Sequence, residues 1–226
     1  MVRTEAVERV VEPDVRLADS VVPAGSALYE CAKRVIDVVG ALVLVIVSLP
    51  VMIAAAAAIK LTSRGGVLFR QVRVGRGGRA FTMYKFRSMR AGAQQDRGLL
   101  ADRNIHAGPV FKVPDDPRVT RVGRFLRRSS IDELPQLINV LRGEMSLVGP
   151  RPLWLPEARS ATGAARYRTT VKPGLTCLWQ ISGRSELSYP EWVRLDLYYI
   201  THRSIRLDVL VLVQTIPAVL SARGAY

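Results

Sequence analysis

An uncharged apolar run from Val38 to Ile59 governs what this chain can fold into. About 20 consecutive apolar residues suffice to cross a bilayer, so the run is long enough to do so. Ser48 and Pro50 lie near its middle. A proline inside a helix removes a backbone donor and crowds the preceding turn, so it bends or breaks the helix there. Both flanks are basic: Lys33 and Arg34 precede the run, and Lys60, Arg64, Arg70, Arg73 and Arg76 follow it. Cytoplasmic flanks are the ones that carry Lys and Arg. Two basic flanks therefore predict a re-entrant segment over 28–62 that enters the membrane, turns near Ser48 and Pro50, and returns to the same side. A single kinked spanning helix is the alternative that these residues leave open.

The chain has 226 residues, room for one ordinary domain beside a membrane element. Its formal net charge is +14, and all but five of its 33 basic residues are arginine. Arginine makes planar, bidentate contacts with phosphate and carboxylate. The excess predicts anionic partners: a phosphorylated substrate, acidic lipid head groups, or nucleic acid. Part of the Arg bias fits a GC-rich coding preference, but the net charge does not. Cys31 and Cys177 are isolated, as suits a reducing compartment, and His106 and His202 are isolated too. Neither a zinc site nor a Ser-His triad is supported. Residues 1–27 are interrupted by Glu5, Glu8, Glu12, Asp14 and Asp19, and read as a polar tail rather than a signal peptide.

Beyond the apolar run, Val67–Phe69 and Ala80–Tyr84 are short extended pieces separated by Gly and Arg, which predicts a small hairpin. Leu134, Leu137, Ile138 and Leu141 follow helical spacing, and Gly143 ends that helix. Gly149-Pro150-Arg151-Pro152 must be a stiff loop. Glu191–Ile200 reads as a helix. Leu207–Leu220 is apolar but interrupted by Asp208, Gln214 and Pro217, which suits a helix lying on a membrane surface.

The chemistry concentrates in Ser129-Ser130-Ile131-Asp132-Glu133-Leu134-Pro135. A structural reading is available. Ser130 and Glu133 fit a capping box, and Pro135 is tolerated in a first turn. Acidic residues also favour a helix N-terminus without any function. Against that, Arg118, Arg121, Arg124, Arg127 and Arg128 crowd the positions before Asp132. A helix N-terminus among arginines is a place for phosphate. Adjacent carboxylates can divide labour, one attacking phosphorus and the other helping to bind Mg2+. A dyad of neighbours titrates as a pair, and nearby arginines favour its ionised form.

Five motifs occur in a fixed order: Lys85-Phe86-Arg87-Ser88-Met89, Asp116-Pro117-Arg118-Val119-Thr120, Ser130-Ile131-Asp132-Glu133-Leu134-Pro135-Gln136, Val148-Gly149-Pro150-Arg151-Pro152 and Lys172-Pro173-Gly174-Leu175-Thr176. In this order, after a proline-broken apolar run, they resemble the bacterial sugar transferases, the monotopic polyprenyl-phosphate phosphoglycosyl transferases that begin surface-glycan assembly. The resemblance covers roughly Leu28 to Tyr226. It implies a mainly α fold with a small β-hairpin, a re-entrant membrane helix at 28–62, and a catalytic domain at 63–226 with interfacial helices. It places the protein at the bacterial cytoplasmic (inner) membrane, with its catalytic domain on the cytoplasmic face.

The implied reaction moves a sugar 1-phosphate from a nucleoside diphosphate sugar, usually a UDP-sugar, to undecaprenyl phosphate, with Mg2+ as cofactor and UMP released. By the same resemblance, Asp132 matches the nucleophile and Glu133 its dyad partner, the two also serving the metal. Arg151 matches a phosphate clamp, and Lys85, Arg87 and Arg127 are anion contacts. Asp208 matches a carboxylate near the active site. Anionic lipids are implied partners, nucleic acid is not expected, and homodimerisation is left open. The chain departs from the pattern at Cys177, where Gly is usual, at His202-Arg203, where Asn-Trp is usual, and at Gly66, where Pro is common. It resembles the small catalytic form with an added polar tail.

Two rivals come from other classes. A membrane-anchored basic nucleic-acid-binding module suits the net charge but lacks any helix-turn-helix, zinc or aromatic-stacking pattern. A non-catalytic scaffold for glycan assembly leaves the intact Asp132-Glu133 pair unexplained. Of the remaining arginines, Arg73, Arg76 and Arg79 read as lipid-head-group contacts, and Arg159, Arg166 and Arg168 as a solvated face. Trp154, Trp179 and Trp192 read as core or interfacial anchors, and Tyr198-Tyr199 as packing.

Overall fold

The computed structural model describes residues 26–104, 111, 113–161, 163–183 and 186–221. Most of the polar tail, His106 and Lys112 lie outside them. The fold is mainly helical, with two small sheets and one long apolar helix near its start. Its elements in order are helix α1 (Ala27–Thr62), strands β1 (Leu68–Val74) and β2 (Ala80–Phe86), helices α2 (Arg121–Arg128) and α3 (Leu137–Arg142), and strands β3 (Ser146–Val148) and β4 (Leu153–Trp154). Helix α4 (Leu155–Ser160), strand β5 (Gly174–Thr176), and helices α5 (Leu178–Ser182), α6 (Tyr189–His202) and α7 (Ile205–Leu220) complete it. Short 3-10 turns cover Gln95–Arg103, Ile131–Gln136 and Gly163–Thr169.

Helix α1 starts where Tyr29 N–H donates to the Ser26 hydroxyl, a side-chain N-cap. It runs through Pro50 as one element of 36 residues. The sequence allowed one helix or a broken pair; the structure has one. Pro50 lacks the N–H that would bond Ile46, and Ser48 Oγ donates to Leu44 O at 2.5 Å in the same region. Buried or half-buried positions 37, 41, 45, 48, 52, 55 and 59 recur at helical spacing and form one inward stripe. On the opposite face Val39, Leu42, Val43, Ile46, Val47, Leu49, Val51 and Ile53 are exposed. Among the described residues, α1 alone is long and apolar enough to cross a membrane.

Both halves of α1 dock on the same globular unit. In the first half, Asp37 Oδ1 accepts from Ser146 Oγ and Leu147 N, both at 2.9 Å. Arg34 donates to the carbonyls of Val140 and Leu141 at 2.7 and 2.8 Å, which caps the C-terminus of α3. In the second half, Ala55 and Ile59 pack with Phe86 and Leu126 in a small apolar cluster. The main core gathers α3, β3, α5, α6 and α7, with Leu137, Val140, Met145, Leu147, Trp192 and Val211 at its centre.

The predicted hairpin is present: β1 and β2 pair antiparallel, with Phe69 opposite Lys85 and Gln71 opposite Met83. Strand β4 adds to the far side of β1. That leaves β2 at an edge, and the buried Asn139 covers it. Its Oδ1 accepts from Tyr84 N at 3.1 Å, and its Nδ2 donates to Thr82 O at 2.7 Å. A side-chain amide thus mimics a neighbouring strand and ties α3 to the sheet. Gly143 ends α3 as expected.

Several expectations need correction. Ser130 is not a capping residue: its backbone is left-handed (φ 57°) and its hydroxyl makes no cap bond. The stretch Ile131–Gln136 is a 3-10 turn, with the α-helix beginning only at Leu137. Arg168 is not on a solvated face. It is buried, with Nε donating to Asp196 Oδ2 at 2.8 Å and Nη1 to Glu157 Oε1 at 3.1 Å. Arg118 is also buried, forked onto Asp116. Of the two readings open for Trp179 and Trp192, the core one holds: they stack there, ring centroids 4.6 Å apart.

Candidate active site

Three segments converge on one open cleft, with Lys85, Glu133, Gln136, Arg151 and Trp179 among its walls. The first segment is β2. Side chains alternate along a strand, so Met83 and Lys85 share a face, and both line the cleft. The second is the 3-10 turn. Side chains three apart nearly eclipse in a 3-10 helix, so Glu133 and Gln136 project together, and both reach the cleft. The left-handed Ser130 sets the entry angle of this turn. Non-glycine residues hold that conformation only where their surroundings impose it. Here Ser130 N donates to Arg127 O and Glu133 N donates to Ser130 O, both at 3.1 Å.

The third segment is the pair of loops around Arg151 and Gly174. Their backbones touch: Gly174 N donates to Pro150 O at 2.8 Å, and Gly149 N to Thr176 O at 3.0 Å. A methyl group on Gly174 would lie 2.1 Å from Gly149 N, and one on Gly149 would lie 2.5 Å from Lys172 O. Only glycine permits this approach. With Pro150 and Pro152 on either side, the contact fixes where Arg151 leaves the chain. Its guanidinium carbon lies 5.6 Å from the centre of the Trp179 ring.

Charge in the cleft is arranged unevenly. Lys85 Nζ and Glu133 Oε1 form an ion pair at 2.6 Å. Asp132 is buried, and among the described residues no side chain donates to its carboxylate. Burial raises its pKa to about 6, Lys85 opposing the rise and Glu133 adding to it. Arg127, also close enough to hold that pKa down, donates from Nε to Ser88 Oγ at 2.9 Å. Burial depresses the Arg127 guanidinium's own pKa, while Asp132 pulls it back up. A buried carboxylate that takes a hydrogen bond from its own backbone amide but from no side chain is a better nucleophile than a solvated one and is held beside cations that attract phosphate.

Of the sequence-predicted site residues, Asp132, Arg127, Arg87 and Asp208 are not among the cleft walls, and the last two are engaged elsewhere. Arg87 turns to the end of α1 and donates from Nη2 to Ser63 O and from Nη1 to Arg64 O. It ties the apolar helix to the hairpin and does not line the cleft. Asp208 joins a different cluster: Lys33 Nζ donates to Oδ2 at 2.9 Å, Tyr29 OH to Oδ2 at 3.1 Å and Tyr199 OH to Oδ1 at 2.7 Å. Its carboxylate anchors α7 to the start of α1. Conversely, Arg73 lines the cleft and donates to Gln71 Oε1 and Pro152 O. The sequence had grouped it with lipid contacts, and strand alternation from Gln71 was the only signal for its direction. Gln136 and Trp179 were not read as cleft residues; for Gln136 the signal was its spacing of three from Glu133.

Among the described residues no group of three or more His, Cys, Asp or Glu side chains is placed to hold a metal. Mg2+ in phosphoryl-transfer sites commonly needs only one or two carboxylates, with water and substrate phosphate completing its shell. The adjacent Asp132 and Glu133 fit that donor set.

A family model described as "Bacterial sugar transferase" matches residues 28–222. The chain is 44% identical over 195 residues to "Galactosyl transferase CpsE" of Streptococcus agalactiae, covering 86% of this chain and 43% of that one. It is 39% identical over 199 residues to "Exopolysaccharide production protein ExoY" of Sinorhizobium fredii, covering 86% and 88%. It is 42% identical over 214 residues to "UDP-glucose:undecaprenyl-phosphate glucose-1-phosphate transferase" of Caulobacter vibrioides, covering 90% and 75%. Against the longer relatives, such as the first of these, the chain spans about two fifths of their length.

Proposed function

The chain belongs to the bacterial sugar transferase family, and on that premise we propose that it transfers a sugar 1-phosphate from a UDP-sugar to undecaprenyl phosphate, for exopolysaccharide or capsule assembly. The observation that carries this reading is the unpaired, buried carboxylate of Asp132 beside a cleft that holds Lys85, Arg73 and Arg151. An oxygen of Asp132 attacks the phosphorus that bears the sugar. The bond from that phosphorus to the UMP oxygen breaks, and UMP leaves with the electron pair. The aspartyl phosphosugar is then attacked by an oxygen of the lipid phosphate. The bond to Asp132 breaks, the carboxylate is restored, and a lipid diphosphate sugar departs.

Arg151 and Arg73 offset the charge of the diphosphate, in a site where fixed donors need not reorganise. Lys85 holds Glu133 in place and lowers the pKa of Asp132. Asp132 and Glu133 are the residues that would hold Mg2+, which when bound supplies charge neutralisation on the diphosphate oxygens. Intact-protein mass spectrometry with UDP-sugar and Mg2+ but no lipid acceptor tests the scheme. The expected result is an adduct of one sugar phosphate and a matching amount of UMP. An unmodified mass from protein proven active with lipid would leave direct attack by the lipid phosphate.

The same proposal places α1 in the membrane as a re-entrant element, on the cytoplasmic side of the inner membrane. Its two ends dock on one globular unit, through Asp37 on Ser146 and Leu147 and through Ile59 on Leu126 and Phe86. A straight crossing would put these two docked stretches on opposite sides of the bilayer, so the globular unit that both touch would have to cross with them. The exposed apolar face of α1 supports lipid contact, as do Val209, Leu210, Val213 and Ile216 on α7. Cysteines introduced at positions 28 and 62 should both resist a membrane-impermeant label in intact cells. Labelling of one end from outside would favour a span.

A further inference from the structure

We propose that a second cleft, at the start of α1, holds the phosphate head group of an anionic phospholipid; the inference rests on the membrane placement of α1 proposed above. Glu30, Lys33, Arg34 and Asp37 of α1 line this cleft, and Lys172 and Arg203 face them. It shares no lining residue with the catalytic cleft. Most of its charge is already matched. Arg203 Nη1 donates to Glu30 Oε1 at 2.7 Å, and Arg76 lies 3.7 Å from the other oxygen. Lys33 is paired with Asp208, and Asp37 accepts from Ser146 and Leu147. Two cations remain without a carboxylate partner among the described residues. Arg34 directs its Nη groups to the carbonyls of Val140 and Leu141. Lys172 Nζ makes no hydrogen bond or ion pair with any described residue. The two stand side by side: Arg34 Cζ lies 3.6 Å and Lys172 Nζ 3.7 Å from the point that a Cβ on Gly143 would occupy. Burial lowers the Lys172 pKa and the charge of Arg34 lowers it further, with Asp37 and Glu30 opposing. Like charges held together and partly buried favour an anion that bridges them. The partial negative charge at the C-terminus of α3 attracts both cations, yet Lys172 donates to none of its carbonyls.

Depth argues for a lipid over a soluble phosphate. Asp37 is the last charged residue of α1 before the apolar run, and Asp208 is the last in α7 before its exposed apolar side chains. Lys33 and Arg34 precede Asp37 by four and three residues, about 5–6 Å along the helix axis. Polar head groups add about 5–7 Å to each side of the hydrocarbon core. These cations therefore lie at the level of lipid phosphates. A phosphodiester carries one negative charge and oxygens that accept from Lys172 and from the N–H donors that Arg34 has left. The acceptor lipid fits less well, because its phosphate must reach Asp132, whose neighbour Glu133 lines the other cleft.

The test titrates the full-length protein in a neutral detergent with dioctanoyl phosphatidylglycerol, dioctanoyl phosphatidylcholine, farnesyl phosphate and inorganic phosphate. Native mass spectrometry counts the molecules bound. The natural protein should bind one phosphatidylglycerol roughly 10-fold more tightly than phosphatidylcholine or inorganic phosphate. Lys172→Met should lose that preference, and Lys172→Arg should keep it. Arg151→Met, which removes a cation from the catalytic cleft, should also keep it. Unchanged phosphatidylglycerol binding by folded Lys172→Met overturns the inference and leaves Lys172 to the end of α3. Loss of the preference in Arg151→Met instead moves the lipid to the catalytic cleft and overturns it too. Inorganic phosphate bound as tightly as phosphatidylglycerol overturns it in favour of a soluble anion. Tighter binding of farnesyl phosphate, lost in Lys172→Met, overturns it in favour of the acceptor lipid. The assay uses neither UDP-sugar nor a bilayer, so its failure is distinct from failure of the proposed transfer or of the placement of α1. If Lys172→Met does not fold, Lys172→Gln serves, since it removes the same charge.

Discussion

Two clusters of buried charge, built from the same residue types, behave in opposite ways. Behind the core, Arg168 sits between Glu157 and Asp196, and all three are buried. Burial alone would depress the Arg168 pKa, but the two carboxylates raise it above its ordinary value. In the cleft, Lys85 pairs with Glu133 while Asp132, one residue away, receives no side-chain donor. Both Asp196 and Asp132 have pKa values raised to about 6, burial being the largest cause for each. They differ in their partners. Asp196 has a guanidinium at 2.8 Å, whereas no described side chain donates to Asp132, whose neighbour Glu133 lines the cleft. A buried charge with a partner ties segments together. A buried charge without one is held ready for something that arrives.

The sharpest way to break this comparison is to remove the reacting carboxylate. Asp132→Asn should abolish the sugar-phosphate adduct and lower turnover by about a thousandfold or more, because an amide is not a competent nucleophile here. Intact mass and UMP release read both effects. Residual adduct in that variant would move the nucleophile to another side chain.

The closed cluster should respond in stability. Arg168→Met keeps much of the aliphatic stem but leaves Glu157 and Asp196 buried without their cation. Removing one partner of a buried ion pair typically costs about 3–5 kcal/mol. Chemical denaturation in detergent should show a loss of that order. A loss below about 1 kcal/mol would mean that water already reaches the cluster.

Arg151 lies between these extremes, because it is positioned by structure yet acts on substrate. Arg151→Lys keeps the charge and loses the planar fork. Turnover should fall roughly 10- to 100-fold, with the fold intact. Near-normal rates in the Lys variant would make Arg151 only a surface charge stacked on Trp179.

The difference between the two clusters also explains what could be read from the sequence. That Glu133, Lys85 and Arg151 come to one cleft follows from short motifs whose neighbours dictate their geometry. Two prolines hold Arg151, and the strand period aims Lys85. The hairpin, α6 and the end of α3 at Gly143 were legible for the same local reason. Arg168 was not, because its partners lie 11 and 28 residues away, on α4 and α6. No periodicity marks an arginine that a distant carboxylate will claim. Asp208 and Arg87 find other partners in the structure for a related reason. Each carries the right charge for a phosphate site, but long-range docking gives it another partner, Lys33 for Asp208 and the end of α1 for Arg87. The capping box failed differently. Its spacing was right, but Lys85 takes the Glu133 carboxylate that the box required, and Ser130 adopts a left-handed backbone instead.

The smallest expected effect is the most discriminating, because it predicts that disabling the site stabilises the protein. The Asp132 carboxyl has a pKa near 6 when folded, above its ordinary value of 3.8. A carboxyl with a raised folded-state pKa binds its proton more tightly folded than unfolded. The stability it contributes is present at low pH and is lost as pH rises from about 4 through about 6. Above that range ionised Asp132 costs the fold about 1–3 kcal/mol. Asn cannot ionise, so Asp132→Asn escapes the cost. In the absence of Mg2+ and substrate, the variant should match the natural protein near pH 4 and exceed it in denaturation midpoint at pH 7. Arg168→Met should be less stable than the natural protein at pH 7, because Glu157 and Asp196 lose the cation they share. Added Mg2+ should narrow the gap for Asp132→Asn by favouring the ionised carboxylate, and leave that for Arg168→Met unchanged. If Asp132→Asn proved as destabilising as Arg168→Met, Asp132 would belong with the ion pairs that hold the fold together, and the contrast between the two clusters would be lost.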